Sequence, residues 1–171
     1  MKILYGVQGT GNGHITRARV MAKALQERDI ETDYLFSGRP ANQYFDMEQF
    51  GDYRCFEGLT FQCKNGKVDY FKTITKARIR QFLKDIKSLD ITRYDLVLSD
   101  FEPVCAWAAK GSIVPVINIS HQAAFTNDKI PVRGFSWLNR MIFKYFAPAD
   151  IFLGMHWFHF GQTIIPPIIQ R

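Results

Sequence analysis

The chain has 171 residues, 47% of them hydrophobic, which is enough for one domain with a buried core but short for two. Aromatic residues make up 15% and charged residues 22%, which excludes wholesale disorder and the collagen-like and coiled-coil classes. Residues 71–171 carry the whole net charge of +6, with 13 basic and 7 acidic side chains against 9 and 9 in residues 1–70. The second part is therefore predicted to face something anionic.

The cysteines and the chain's apolar segments indicate a cytoplasmic protein. Cys55, Cys63 and Cys105 form no CxxC pair and suit neither a zinc site nor a disulfide framework, which indicates a reducing compartment. No signal peptide is predicted at the N-terminus. Residues 151–170 lack Asp, Glu, Lys and Arg, but glycines and a Pro-Pro pair would break a membrane-spanning helix there.

The first elements predicted along the chain are a strand, a glycine-rich loop and a helix. Lys2–Val7 is a short apolar run, and from Ile15 apolar residues recur at helical spacing. Further strands are predicted over Thr32–Phe36 and Arg54–Leu59. The Asn-Gly pair within Lys64–Val68 indicates a hairpin or an exposed loop.

The second half of the chain continues this alternation. Residues 71–89 form the clearest amphipathic helix, with a solvated basic face. The remaining predictions are strands at Asp95–Ser99, Val114–Ile119 and, as the last strand of the sheet, Ile151–Leu153, with helices at Pro103–Lys110 and Phe135–Phe146. Strands without polar alternation, separated by helices, predict an α/β fold: a Rossmann-like, doubly wound, mainly parallel sheet covered on both faces.

The glycine-rich loop Gly9-Thr-Gly11-Asn12-Gly13 is the most specific motif. Alternating glycines let the backbone turn sharply and approach a ligand, while free N–H groups and the helix dipole attract a negative group. His14 stands where a dinucleotide fingerprint needs glycine, and no P-loop lysine follows. The loop is therefore predicted to hold a phosphate or a polar oxygen, but neither NAD nor ATP directly.

His14 opens the predicted helix, where the positive dipole end disfavours a protonated ring. A neutral imidazole there can accept a proton from a sugar hydroxyl or donate to a phosphate. It can equally cap the helix or brace the loop.

Polar residues follow two predicted strands at the sheet edge where doubly wound folds bind ligands. Asp100 can orient an imidazole or act as a base, or simply cap a helix; for Glu102, capping ahead of Pro103 is favoured. His121 has the same location after the next strand and can serve function or structure. By contrast, His156 and His159, in an aromatic uncharged segment, are interpreted as structural.

Basic and aromatic residues alternate through residues 133–146. Such a helix can rest on anionic lipid with its apolar side embedded, although a core stripe with a charged outer face is the commoner arrangement.

These pieces together resemble a known family. The opening strand with Gly9-x-Gly11-x-Gly13-His14 and Arg17, the Ser99-Asp100-x-Glu102 strand end, Ser120-His121-Gln122 and the terminal Ile164-Ile165-Pro-Pro-Ile168 resemble the N-terminal half of GT-B glycosyltransferases. They are most similar to the subgroup of the N-acetylglucosaminyltransferase of peptidoglycan lipid II synthesis and its bacterial and archaeal relatives. The resemblance extends over essentially all 171 residues.

The resemblance implies a two-domain enzyme that transfers a sugar from a nucleotide-sugar donor to a sugar, lipid-linked or other hydroxyl acceptor, without metal or other cofactor. Residues 1–163 would be the acceptor-side domain and residues 164–171 the start of an interdomain linker. The donor-binding domain is absent from this chain, so it is expected to be a truncated piece that is inactive alone.

For individual residues, the resemblance implies His14 or Asp100 as the base. The substrate-binding residues would be Gly9, Gly11, Asn12, Gly13, Arg17, Glu102, His121 and Gln122. No nucleic acid partner is expected, and residues 133–146 would place the protein at the inner face of the membrane.

Two alternatives stay open at this stage. One is a sugar-nucleotide epimerase of the same fold, which would exchange isotope at the sugar C2 without any acceptor. The other is a non-catalytic α/β module that binds a lipid-linked or phosphorylated ligand.

Overall fold

The computed structural model describes residues 1–60, 78–127, 129–130 and 137–169, and residues 63–64 and 67–68 through their backbone. In chain order its strands and helices are β1 (Lys2–Gln8), α1 (Asn12–Gln26), β2 (Glu31–Ser37), β3 (Arg54–Phe56), β4 (Cys63–Lys64), β5 (Lys67–Val68), α2 (Ile79–Ser88), β6 (Leu96–Asp100), α3 (Pro103–Ala109), β7 (Val116–Ser120), α4 (His121–Ala124), α5 (Trp137–Phe146), β8 (Ile151–Met155) and β9 (Ile164–Ile165).

Seven of the strands form one sheet in the order β3-β2-β1-β6-β7-β8-β9, and each neighbouring pair is parallel. The chain builds outward from β1 in one direction, then returns to β1 and builds outward in the other. The predicted doubly wound α/β fold is confirmed. The strand order reverses between β1 and β6, so the edge beyond their carboxyl ends is where this fold class binds ligands.

Apolar side chains cover both faces of the sheet, because successive residues of a strand point to opposite sides. On one face Ile3, Tyr5 and Val7 pack with Ile15 and Ala18 of α1. The other face is formed by residues of β1, β2, β6, β7, α2 and α3: Leu4, Leu35, Val97, Val116, Phe82, Val104 and Cys105. α1 lies over β1 and β2, and a side chain of its first turn reaches the end of β6.

Most predicted element bounds hold to within about two residues, and the predicted hairpin is confirmed by the antiparallel pairing of β4 with β5. The strand predicted at Ile151–Leu153 is present as β8, but it is not the last strand of the sheet. Ile164 and Ile165 pair in parallel with Gly154 and Met155, so β9 extends the sheet within the segment predicted as linker. Residues 71–77 and 135–136 of the two predicted helices lie outside the described residues.

Within the described ranges, no helix combines the length and the apolar composition that crossing a bilayer requires.

Candidate active site

His14 and Asp100 meet at the switch in strand order. His14 lies in the first turn of α1, and Asp100 is the last residue of β6, paired in register with Val7 near the end of β1. His14 Nδ1 lies 2.8 Å from Asp100 Oδ1, although the two residues are 86 positions apart in sequence. The Asp100 side chain is completely buried, whereas 15% of the His14 side chain reaches solvent.

Arg17 lies one helical turn after His14 and points inward. Its Nε donates to Asp100 Oδ2 at 2.7 Å and its Nη2 donates to Oδ1 at 2.6 Å, so the guanidinium grips both carboxylate oxygens. The same Nη2 lies 2.9 Å from His14 Nδ1. Only 10% of the Arg17 side chain is exposed. This residue, predicted to bind substrate, instead donates two hydrogen bonds to Asp100.

These contacts determine the charge of the group. Burial acts to raise the pKa of Asp100, but in the acidic range where a carboxyl titrates the charges of and hydrogen bonds from His14 and Arg17 outweigh it and hold that pKa below its ordinary value. Burial acts to lower the pKa of Arg17, and its bond to Asp100 more than compensates. The buried pair is therefore ionised.

The ionised state of Asp100 determines which ring nitrogen of His14 carries the proton. A carboxylate oxygen carries no proton, so the 2.8 Å contact requires one on Nδ1, which donates to Asp100. In the neutral ring Nε2 is then the bare nitrogen. A carboxylate that holds Nδ1–H and an imidazole with a free Nε2 is the arrangement of a general base.

Phe101, between Asp100 and Glu102, has a left-handed backbone conformation, with φ of 55°. This conformation is unfavourable for a residue other than glycine, and ring stacking of Phe101 on Phe146, with centroids 4.8 Å apart, holds it in place. Because the backbone bends at Phe101, the Asp100 side chain faces α1, while Glu102 caps the start of α3.

Glu102 is completely buried and caps α3. Its carboxylate accepts from the amides of Val104 and Cys105 at 2.8 and 2.7 Å and from Ser37 Oγ at 2.5 Å. Burial raises the pKa of Glu102, against the effect of these hydrogen bonds. All of these contacts are internal, which agrees with the capping interpretation favoured from sequence.

The glycine-rich loop is braced by neighbouring segments. Gly9 donates its amide to the Ser37 carbonyl at 2.6 Å, and a β-carbon at Gly9 would overlap the Tyr44 hydroxyl. Arg39 donates to the Gly9 carbonyl and, at 3.0 Å, to Asn12 Oδ1. Any larger residue at position 9 would therefore displace the Tyr44 ring.

Gly11 and Gly13 leave space open at the start of α1. A β-carbon at Gly13 would meet nothing within 4 Å, and at Gly11 only the His14 ring, at 3.8 Å. Gly11 is the N-cap residue, and no side chain caps the helix there. The chain turns at residues 9–11, as predicted, but none of the three loop glycines has a positive φ, so the turn needs no left-handed backbone conformation there. Their effect is an uncovered helix N-terminus beside His14.

His121 and Gln122 begin α4, directly after β7. The pKa of His121 is lowered by partial burial first, then by the charge of Arg17 and by the charges that His156 and His14 carry when protonated. These charges act on His121 because all four residues line the same sheet edge. Gln122 is half-buried, and among the described residues its Oε1 has no hydrogen-bond partner.

His156 also lies at this edge, because it follows β8 directly. Its Nδ1 lies 3.1 Å from both the backbone nitrogen and the carbonyl oxygen of Phe158, so it accepts from the first or donates to the second according to its tautomer. Its interpretation as a structural residue stays a prediction. His159 lies further along the loop and accepts from the Gly161 amide at 2.9 Å.

The structure thus brings together His14, Arg17, Asp100, His121 and the open start of α1. It does not bring Glu102 to this surface. In the part of the chain that is described, no three His, Cys, Asp or Glu side chains are grouped as a metal site would require.

Comparison with known proteins adds a family and a fold. The model of glycosyl transferase family 1 matches residues 1–146. No curated protein sequence matches the chain significantly.

Two solved structures cover nearly all of the chain. One is MurG of Acinetobacter baumannii (15% identity, TM-score 0.53, 99% of this chain and 46% of that chain). The other is the Streptomyces sp. SF2575 glycosyltransferase SsfS6 complexed with thymidine diphosphate (13% identity, TM-score 0.53, 91% and 49%). At these identities the likeness concerns the fold. The chain spans about half the length of both.

Proposed function

Since this chain belongs to glycosyl transferase family 1 and has the Rossmann-like fold of the N-terminal half of a GT-B glycosyltransferase, we propose that it carries the base of a sugar-transfer enzyme. The enzyme transfers a glycosyl group from a nucleotide sugar to an acceptor hydroxyl. The observation that carries the proposal is the hydrogen bond between His14 and the buried Asp100.

In the proposed reaction, His14 Nε2 takes the proton of the acceptor hydroxyl while the acceptor oxygen attacks the anomeric carbon of the donor sugar. The bond between that carbon and the diphosphate oxygen breaks, and its electron pair leaves on the diphosphate. Asp100 stabilises the imidazolium that forms, because it already accepts the Nδ1 proton. This assigns Asp100 to orienting and stabilising the base.

The uncovered start of α1 suits a diphosphate. Gly11 and Gly13 expose backbone amides at the positive end of the helix, and Asn12 lies between them. His121 and Gln122 lie on the same edge and would contact substrate. The thymidine diphosphate in SsfS6 supports a nucleotide-sugar donor, and the helix terminus would stabilise the leaving charge without a cofactor.

A second, donor-binding half is part of the proposal. The chain spans 46% of the MurG chain and 49% of the SsfS6 chain, so the domain described here would form one wall of a cleft. Without the second wall, this domain is expected to transfer no sugar.

The test is an assay on the complete natural polypeptide with UDP- and dTDP-linked hexoses and a panel of hydroxyl acceptors. A matching donor at about 100 times its Kd should stabilise the fold by about 2.7 kcal/mol, visible as a rise in Tm, and should release nucleoside diphosphate when an acceptor is present. UMP and dTMP are the controls. Stabilisation by no donor would contradict the proposal, and isotope exchange at the sugar C2 without acceptor would indicate an epimerase.

We also propose that α5 contacts a membrane surface. Trp137, Met141 and Tyr145 recur every four residues and are 74%, 44% and 46% exposed, so they form one apolar stripe on the outer side of the helix. The opposite side faces the core, where Phe146 stacks on Phe101. An exposed stripe of this kind suits the headgroup region of a bilayer.

Charge favours an anionic bilayer as the occupant. α5 contains Arg140 and Lys144 but no acidic residue, and residues 71–171 carry the chain's entire positive excess. Cys55 and Cys105 are unpaired, which supports a reducing compartment and hence the cytoplasmic leaflet.

The membrane proposal predicts that the complete protein cosediments with phosphatidylglycerol vesicles at low salt and not with phosphatidylcholine vesicles. The double variant Trp137→Ser, Met141→Ser should reduce binding about tenfold or more, because burial of both side chains is lost. Trp157→Ser is the matched control, since Trp157 is also 74% exposed but lies outside α5. Equal binding by wild type and the double variant would contradict the proposal.

A further inference from the structure

Arg17 contacts both members of the His14–Asp100 pair. Its Nη2 donates to Asp100 Oδ1, the same oxygen that accepts the His14 proton, and lies 2.9 Å from His14 Nδ1. Its Nε holds the other oxygen, Oδ2, at 2.7 Å. The three side chains form one closed group, and only His14 borders the open edge.

We propose that Arg17 is a positioning residue that fixes the orientation of Asp100 and, by the positive charge it holds beside the imidazole, opposes a second positive charge on the His14 ring. The inference rests on the proposed function, in which His14 Nε2 accepts the proton. It replaces the substrate-binding assignment that the family resemblance implied for Arg17.

The orienting effect follows from the fork of the guanidinium. Two parallel N–H donors match two carboxylate oxygens, so Asp100 cannot rotate without breaking both bonds. Oδ1 therefore stays directed at Nδ1, and Nε2 stays directed at the edge. A lysine would keep the charge but could not hold both oxygens in this geometry.

The charge of Arg17 acts on the His14 ring in two ways, and both oppose a positive charge on the ring. The guanidinium beside Nδ1 repels a second positive charge on the ring, and by neutralising Asp100 it weakens the attraction of that carboxylate for an imidazolium. Removing Arg17 would therefore favour the protonated ring in both ways.

Two other titratable side chains lie near the Arg17–Asp100 pair. Tyr5, on β1, is completely buried, and burial first and the Asp100 charge second raise its pKa, so it stays neutral. His121, on α4, is the neighbouring imidazole, and partial burial and the charge of Arg17 lower its pKa.

The kinetic test is the pH profile of kcat/KM for Arg17→Met in the complete protein. The acid limb should move to higher pH by about one unit, so that the rate at pH 6.5 falls about tenfold and the rate at pH 9 stays within about threefold of wild type. A merely structural loss would lower the rate equally at every pH. Arg19→Met is the matched control, because Arg19 lies on the same helix but donates to the Phe45 and Asp46 carbonyls.

Arg17→Lys separates orientation from charge and guards against misfolding of the methionine variant. With the charge retained, its acid limb should stay in place, while kcat falls at every pH because Asp100 is no longer held by both oxygens. If Arg17→Met does not fold, as judged by circular dichroism, an acid limb for Arg17→Lys shifted upward by a full unit would overturn the inference.

Nuclear magnetic resonance of ¹⁵N-histidine-labelled protein provides a readout that does not depend on catalysis. At pH 9 the His14 ring, assigned through a His14→Gln spectrum, should show the Nδ1–H tautomer in wild type and a mixture of both tautomers in Arg17→Met, because Asp100 is then no longer held against Nδ1. If the tautomer changes but the rate profile does not, the proposed function of His14 is wrong while the inference about Arg17 stands. An unchanged tautomer in a folded variant overturns the inference.

Discussion

Replacing His14 by alanine is expected to lower the rate of sugar transfer by about two to four orders of magnitude. The variant loses the only group of the His14–Arg17–Asp100 cluster that is both exposed and able to accept a proton at Nε2. Arg17 and Asp100 keep their two mutual hydrogen bonds, so the domain should fold with little loss of stability. Single-turnover transfer by the complete protein, at saturating donor, measures the effect.

His159→Ala is the control for this substitution. His159 is an exposed histidine whose ring contacts the Gly161 amide within the loop before β9, so its loss should leave the rate within about twofold of wild type. Equal rates for His14→Ala and wild type would show that His14 is not the base. Equal losses in both variants would indicate a general effect of histidine removal.

Asp100→Asn is expected to have the largest effect on stability, about 3–5 kcal/mol, because it leaves the Arg17 guanidinium buried without its counter-charge. Transfer activity should be lost as well, since the amide holds neither Arg17 nor the Nδ1 proton as the carboxylate does. Urea unfolding of the wild-type and variant proteins measures the free energy of unfolding. Asp95→Asn, at the exposed start of the same strand, should cost less than about 1 kcal/mol.

The cost of Asp100→Asn should also depend on pH. Because the pKa of Asp100 is depressed in the folded protein, its stabilising contribution is complete above the ordinary carboxyl pKa near pH 4 and is lost as the pH falls through the lower, folded value. The difference between wild type and variant should therefore shrink on acidification below about pH 4. Glu102, whose pKa is raised, contributes in the opposite sense: stability falls as pH rises through its raised value. A difference that is constant between pH 7 and pH 3 would contradict the assignment of Asp100 as an ionised buried group.

The sequence was sufficient for the sheet and for the edge at which the candidate site lies. Buried parallel strands are short apolar runs, so β1, β6 and β7 could be placed from composition alone, each within about two residues. Polar residues after these strands were expected at a common edge, and His14 and Asp100 do lie within hydrogen-bonding distance there.

Two features depend on tertiary contacts that a single sequence does not encode locally. An arginine in the first turns of a helix is ordinarily solvated, and only the position of Asp100, 83 residues later, turns Arg17 inward. The two residues of β9 are too few to show strand periodicity, and the following Pro-Pro pair suggested a linker. Their pairing with β8 identifies them as a strand.

The place of β1 between β2 and β6 also affects how the domain folds during synthesis on the ribosome. β1 pairs with β2 after a connection that contains α1, but its second neighbour, β6, emerges only after about 60 further residues. Until then Arg17 has no carboxylate to neutralise it, and burying its charge is unfavourable. The early βαβ segment should therefore stay loosely packed on the α1 side until residue 100 leaves the exit tunnel. Compaction of α1 onto the sheet and formation of the His14–Asp100 contact would then occur together.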